Sequence, residues 1–284
     1  MQTLCVKSES EDKMKYALVN DAKEEATRGA RGVCQICGSE LIAKCGEVKI
    51  NHWAHKGNRN CDPWWENETD WHRSWKNNFP KEWQEIVYTD ENSGEKHIAD
   101  VKTSSNWVLE FQHSHINPEE RRSRNSSYPN LVWVLDGTRR KRDKTNFHRV
   151  LNEFSTRSDD PRFKAISGQD DCKLIKEWHE SNALVFLDFQ DEDETKQPII
   201  WFLFPKLAEN EAHLFPISRN YFIELHNNDK FDELVEKTIS PFIRKLIQEK
   251  EKKDEMEKFR EREKERERKA RMDMLLYGRK TGRF

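Results

Sequence analysis

Long apolar runs are missing from this 284-residue chain. Its most hydrophobic stretch, Ile199 to Phe204, suits one buried strand and falls far short of the roughly 20 residues that span a bilayer. The opening MQTLCVKSES has no apolar core of signal-peptide length, so a cytoplasmic protein without a membrane partner is the expectation. Net charge is also nearly absent, at −2, which removes any chain-wide polycationic signature for nucleic acid. Six cysteines are too few for a secreted disulfide framework in a chain this size. Between Gln248 and Met272 apolar residues at heptad spacing are lacking, which argues against a coiled coil. What remains for that segment is a charged helix with i,i+4 pairs, or a solvated tail.

Hydrophobic residues make up 35% of the chain and charged residues 36%, so part of it must be highly solvated. Ten tryptophans and fifteen phenylalanines nonetheless supply enough bulky surface for a core. Charge is segmented: between Glu119 and Arg149 nine Lys/Arg face four acids, a local net of +5. Four divisions are expected: 1–61, a zinc-knuckle-like module; 62–150, the core; 151–247, a small α+β region; and 248–284, a charged helix or tail.

Residues 14–33 fit either a strand pair or a strand followed by a helix. Cys34-Gln-Ile-Cys37-Gly38 follows, a spacing that folds into a tight knuckle with converging thiolates. His52 and His55 lie three apart, so on a helical turn both rings would face the same way. Cys34, Cys37, His52 and His55 together fit tetrahedral zinc, with Cys61 a competing fourth ligand and Cys45 a weaker one. The two histidines stand closer than in fingers that read DNA grooves, so a structural staple is expected.

Residues 62–79 are expected to form a helix, with Asp62 as cap and Pro63 in its first turn. Trp64, Trp71, Trp75 and Phe79 make one apolar stripe, flanked by a polar row of Glu68, His72 and Lys76. A strand at Gln84–Thr89 leads into HIADVKTSSNWVLEFQHSHI, residues 97–116, which reads as two strands joined at Ser104, Ser105 and Asn106. Alternation puts Asp100 and Lys102 on one face, and Glu110, Gln112 and Ser114 on one face of the next strand. Paired carboxylates on adjacent strands suit a hard divalent cation. Asn117 then caps a helix opened by Pro118, and Leu131–Leu135 is a strand apolar on both faces. Further on, 138–149 is a basic loop or helix, Asn182–Phe189 and Ile199–Phe204 form a hairpin, and 229–247 is an amphipathic helix.

D-x-K at Asp100–Lys102, followed by LEFQ, resembles the metal-binding core of the PD-(D/E)XK nuclease superfamily. A closer likeness is to competence protein CoiA-like nucleases. It is carried by CQICG…KCGEVKINHWAHK, Glu68/His72/Lys76, ADVK, LEFQHSHI, Arg121–Tyr128 and VWVLDG, and it extends to about residue 137. The resemblance implies an α/β fold of α+β type with an αβββαβ restriction-endonuclease-like core. It also implies Mg²⁺ or Mn²⁺ on Asp100 and Glu110, assisted by Glu68, with His72 and Lys76 near the phosphate. Gln112 stands where most of the superfamily has lysine, and the closer family shares this glutamine. The missing cation would come from Lys102 or Lys76, and Arg121, Arg122 and Arg124 would clamp a phosphate. A metal-dependent DNA nuclease is therefore the leading expectation. A non-catalytic DNA-binding adaptor that recruits recombination or defence proteins is its rival, and an RNA substrate a third option. A lone HNH-type nuclease fits less well, because the histidines accompany the cysteine knuckle and not the acids.

Overall fold

The computed structural model describes residues 14–47, 50–57, 68–89, 94, 96–157, 163–167, 171–206 and 211–278. Cys61, the cap and stripe residues Asp62, Pro63 and Trp64, the turn at 90–93 and the basic end after 278 lie outside them. The described residues form two compact units, one running to Phe231 and the other from Asp232 onward.

The first unit contains two sheets. The smaller has the order β2-β1-β3-β4-β5. Its strands are β1 (Tyr16–Val19), β2 (Ala22–Glu25), β3 (Arg31–Val33), β4 (Glu40–Lys44) and β5 (His52–His55). Residues 14–33 thus resolve as strands. Asn20 and Asp21, at φ 51° and 64°, supply the left-handed turn that a two-residue hairpin requires. Trp53, Leu41, Ala17 and Met14 pack as this sheet's small core. The expected helical turn at His52–His55 is instead β5, paired antiparallel with β4. Residues three apart on a strand point to opposite faces, so the two histidines diverge.

The larger sheet has nine strands in the order β10-β11-β14-β13-β12-β9-β8-β7-β6. Its strands are β6 (Gln84–Thr89), β7 (Lys96–Lys102), β8 (Val108–Gln112), β9 (Leu131–Asp136), β10 (Ser155–Arg157), β11 (Lys164–Ser167), β12 (Leu184–Glu192), β13 (Pro198–Leu203) and β14 (Glu211–Ser218). The accompanying helices are α1 (Asp70–Lys76), α2 (Pro118–Ser127), α3 (Asp143–Glu153), α4 (Lys173–Trp178) and α5 (Arg219–Asn227). From α1 to β9 the order is helix, three strands, helix, strand. The α2 crossover makes β8 and β9 parallel, as such a connection requires. β12 then pairs parallel with β9, and the antiparallel β12–β13–β14 meander extends the same sheet, which therefore runs unbroken across residue 150. The architecture is α+β with a mixed sheet.

The two faces of this sheet are covered differently. Trp133 of β9 and Trp178 of α4 pack at 5.2 Å, and Phe147 of α3 stacks on Phe189 of β12 at 4.1 Å. On the other face the α1 stripe meets the sheet: Trp75 stacks on Phe111 at 5.4 Å and Phe79 on Phe111 at 6.2 Å. Trp71 and Trp75 both donate their indole N–H to buried Asp188 on β12, so the stripe is fixed in rotation as well as buried. Gly137 ends β9 where a Cβ would meet the Phe189 ring at 2.2 Å, so no larger residue fits there. The second unit contains α6 (Phe231–Leu234, whose first residue belongs to the first unit), a π-helical stretch Val235–Ile239, and the long α7 (Ser240–Gly278). The 248–272 segment is thus a helix, with its described side chains exposed.

His226 on α5 is fully buried among Phe79, Phe222 and Phe231, and neither ring nitrogen has a hydrogen-bond partner among the described residues. Burial pushes its pKa down to about 3. The unfolded chain binds this proton near pH 6.5 and the folded chain does not, so stability is lost as pH falls through that window. His226→Phe is expected to recover about 2–3 kcal/mol relative to wild type at pH 4.5 and little at pH 8, read from urea melts at both pH values.

Candidate active site and metal centre

The cysteine knuckle forms the turn between β3 and β4. Cys34 N–H donates to Ser39 O and Gly38 N–H to Cys34 O, both at 2.9 Å. Gly38 has φ +69°, the left-handed conformation that closes such a knuckle without a Cβ penalty. On β5, the strand beside β4, His55 lies opposite Leu41 and so arrives next to the turn. Ligand atoms of Cys34, Cys37 and His55 all lie within 4.8 Å of one another, with Cys37 Sγ 3.4 Å from His55 Nε2. Two thiolates and an imidazole form a donor set that suits a structural zinc. His52 is not in this cluster. It is buried on the other face, its Nδ1 against Ile50 O at 2.8 Å. Cys45 is also outside, with its thiol on Ala26 O.

The second constellation is a pocket on the larger sheet, lined by Glu68, His72, Lys76, Ile98, Asp100, Glu110, Phe111, Gln112 and Arg124. Seven residues singled out in the sequence meet there. Thr69, at φ −108° and ψ 168°, caps α1 by accepting the His72 N–H. Glu68 therefore sits just before the helix cap, and not on the helix as the four-residue row suggested. It still reaches Lys76, whose Nζ is 2.8 Å from Glu68 Oε1, 2.8 Å from Glu85 Oε1 and 3.9 Å from Asp100 Oδ1. Burial works to discharge Lys76, but Glu85, Glu68 and Asp100 outweigh it and hold the ammonium above the ordinary lysine range. For Glu68, burial favours the neutral acid, while Lys76 and Arg73 overcome it and hold the carboxyl below its usual value.

Asp100 gains its position from an interrupted ladder. β7 and β8 pair through Val101 with Leu109 and Lys102 with Val108. Beyond that, Asp100 Oδ2 accepts the Phe111 N–H at 2.9 Å. A side chain occupies a donor that a backbone carbonyl would otherwise take, so the strands part and the carboxylate enters the gap. His72 Nε2 lies 3.9 Å from the same oxygen. Glu110 projects to the α2 side, where Arg124 Nη1 donates to its Oε2 at 2.8 Å. Glu110 Oε1 is buried and has no hydrogen-bond partner among the described residues. Burial, with Asp100 adding to it and Arg124 opposing, pushes the Glu110 pKa up to about 8.

The remaining sequence candidates lie elsewhere. Lys102 reaches over the Tyr88 ring at 5.8 Å and does not line the pocket, so Lys76 is the lysine present there. Arg124 does line it, but its guanidinium is engaged by Glu110 and by Glu120 one turn earlier on α2. Arg121 stacks on Trp178 at 4.9 Å and donates to Glu177 O, and Arg122 is exposed on the outer side of α2. The sequence reading passed over Glu85 and Arg73, both tied into the Lys76–Glu68 network. A strand predicts an exposed Glu85, and nothing in QEIVYT announces the φ of +48° that turns it inward.

Because the folded chain keeps the Glu110 proton to about pH 8 and the unfolded chain releases it near 4.5, this group's stabilising contribution falls as pH rises between those values. Glu110→Gln removes the titration. Its unfolding free energy is expected to decline less steeply than wild type from pH 5 to pH 8, measured by denaturant melts in chelator.

A family model described as the competence protein CoiA, N-terminal domain matches residues 19–63, which include the knuckle and β5. None of the curated proteins and none of the solved structures compared with the chain matches it. The matched segment is a competence-protein-like module that carries the Cys34, Cys37 and His55 cluster, and the larger sheet lies outside it.

Proposed function

We propose that the chain is a metal-dependent DNA nuclease of the PD-(D/E)XK type, with a restriction-endonuclease-like core and a zinc-stapled N-terminal module. One observation carries the reading: a fully buried Glu110 oxygen without a partner among the described residues, in the same pocket as Asp100. Leaving a carboxylate oxygen buried and unsatisfied is costly unless something else binds it. A hard divalent ion, Mg²⁺ or Mn²⁺, is the partner that two carboxylates favour, and Asp100 and Glu110 are the residues that would hold it. When bound, such an ion lowers the pKa of a coordinated water and offsets charge gathering on the phosphoryl oxygens. The chain's own groups do the rest. The Phe111 N–H orients Asp100. Lys76 supplies fixed positive charge, and His72 lines the approach for a backbone phosphate. Gln112 donates to Ser114 O, which holds the amide toward the pocket where it can orient water. The likeness to a competence protein's N-terminal domain supports DNA as the substrate and a role in DNA uptake, recombination or defence, with a protein partner from that machinery.

The Arg124–Glu110 ion pair favours one alternative, a DNA-binding adaptor in which Glu110 is a structural partner only. Cleavage of single- and double-stranded DNA with Mg²⁺ or Mn²⁺ separates the two readings. Asp100→Ala and Glu110→Ala are each expected to lower the rate by at least about 10²-fold while DNA binding persists. Equal activity in wild type and both variants ends the nuclease reading. Salt-sensitive binding with no cleavage in any of them leaves the adaptor. For the N-terminal module, metal analysis of purified protein should find zinc in wild type and in His52→Ala, and should find it lost in Cys34→Ser.

A further inference from the structure

Among the described carboxylates around Lys76, Glu85 is the one that does not line the pocket, and it is built into the molecule at a cost. It is 1% exposed and carries φ +48°, a left-handed conformation worth roughly 1–3 kcal/mol of strain in a residue with a Cβ. The strain turns its side chain beneath the N-terminal sheet. There Oε1 accepts the Lys15 N–H at 3.2 Å and Oε2 accepts the Tyr16 N–H at 3.1 Å. Oε1 also accepts from Lys76 Nζ at 2.8 Å. The neighbouring Gln84 repeats the pattern, its Oε1 accepting from Lys15 Nζ at 2.8 Å and Tyr16 Oη at 3.1 Å. Lys23 of β2 donates to the main-chain oxygens of both residues.

A second tether runs in parallel. Arg73 on α1 donates through Nη1 to Asn51 O at 2.9 Å and, through Nε and Nη2, to Glu68 Oε2. Asn51 immediately precedes β5, the strand that ends in His55 of the metal cluster. The two pocket charges are therefore each linked to backbone groups of the module through one intervening side chain, Lys76 through Glu85 to Lys15 and Tyr16, and Glu68 through Arg73 to Asn51. A module that only bound DNA on its own account would not need to donate amides to a strained glutamate.

We propose that Glu85 is a positioning residue that locks Lys76 in place by clamping it to the main chain at Lys15 and Tyr16, where β1 begins, so that the cysteine-knuckle module is a structural part of the active site. The inference rests on the nuclease reading for its catalytic consequence, and on the hydrogen bonds alone for the clamp. Among the described residues Lys76 Nζ has three carboxylates to choose from, and of these only Glu85 accepts from two backbone N–H groups. Without that pin the flexible lysine stem can follow Glu68 or Asp100, and a displacement of the order of 1 Å at a catalytic cation can cost about 10²-fold in rate.

The test uses the full chain with Glu85→Gln, which keeps the shape and removes the charge. Two quantities are read: kcat and KM for DNA cleavage, normalised to folded protein, and the rate of reductive methylation of Lys76 by mass spectrometry. The expected result is a kcat lowered by about 10²-fold with KM within about twofold of wild type, bound zinc unchanged, and Lys76 methylated faster than in wild type. An unchanged kcat per folded molecule, with only a lower melting temperature, overturns the proposal and leaves the nuclease reading intact. If wild type does not cleave DNA, that reading fails separately. The methylation then decides the clamp: faster labelling in the variant supports it, and equal labelling overturns it. Should Glu85→Gln not fold, Glu85→Asp keeps the charge and draws the carboxylate back from Lys76, and is expected to lower kcat and speed the labelling of Lys76 in the same way. Wild-type kcat and wild-type labelling there overturn the proposal.

Discussion

A single ammonium group, Lys76 Nζ, organises the charged interior of this molecule. It is buried with Glu68, Glu85 and Asp100 around it, each from a different part of the chain. Removing such charges from water is expensive, and only a complete, well-directed set of partners compensates. Take away one partner from a buried pair and the remaining charge costs about 3–5 kcal/mol. Strand β7 bearing Asp100, strand β6 bearing Glu85 and Glu68 just ahead of α1 must therefore all arrive together. The aromatic stripe on α1 sets where they arrive, because Trp75 is locked by its indole to Asp188 and by its ring to Phe111. Apolar packing supplies the stability, and the ion cluster supplies the register.

The parting of β7 and β8 follows from the same economy of partners. A hydrogen-bonded ladder carried one residue further would consume the Phe111 N–H with a main-chain carbonyl. Asp100 takes that donor instead, and the gap so opened admits carboxylates from both strands to one pocket. Glu110 lies in register with Trp133 of β9 and so belongs to the face covered by α2. Its Arg124 partner is on that helix for this reason, while Lys76 comes from α1, which packs against the opposite face.

Features encoded by local periodicity were legible in the sequence. The Trp71–Trp75–Phe79 stripe, the strand order through β9 and the knuckle at Cys34–Cys37 depend on residues close together in the chain, and the structure has them all. Asp100, Glu110, Gln112, Glu68, His72 and Lys76 do meet in one pocket. What could not be read were events of direction. The spacing of His52 and His55 pairs the two rings only on a helical turn, and on β5 the period of two sends His52 to the other face. Glu85 lies in a run that reads as an ordinary strand, because a positive φ at a glutamate leaves no mark in composition or spacing. Arg73 is hidden because its value comes from a carbonyl 22 positions away in sequence, at Asn51 just before β5.

The distribution of charge among elements explains the glutamine on β8. Among the described residues that line the pocket, the strands contribute two carboxylates, an amide and the apolar Ile98 and Phe111, while the lysine and the arginine come from helices: Lys76 from α1 and Arg124 from α2. A lysine at position 112 would enter a space already bounded by Lys76 and Arg124, and would add a third desolvated cation beside them. A neutral amide avoids that repulsion and can both donate and accept. With α1 supplying the ammonium, the strand position is relieved of charge, and the N-terminal module that grips Glu85 becomes the means by which that ammonium is held in place.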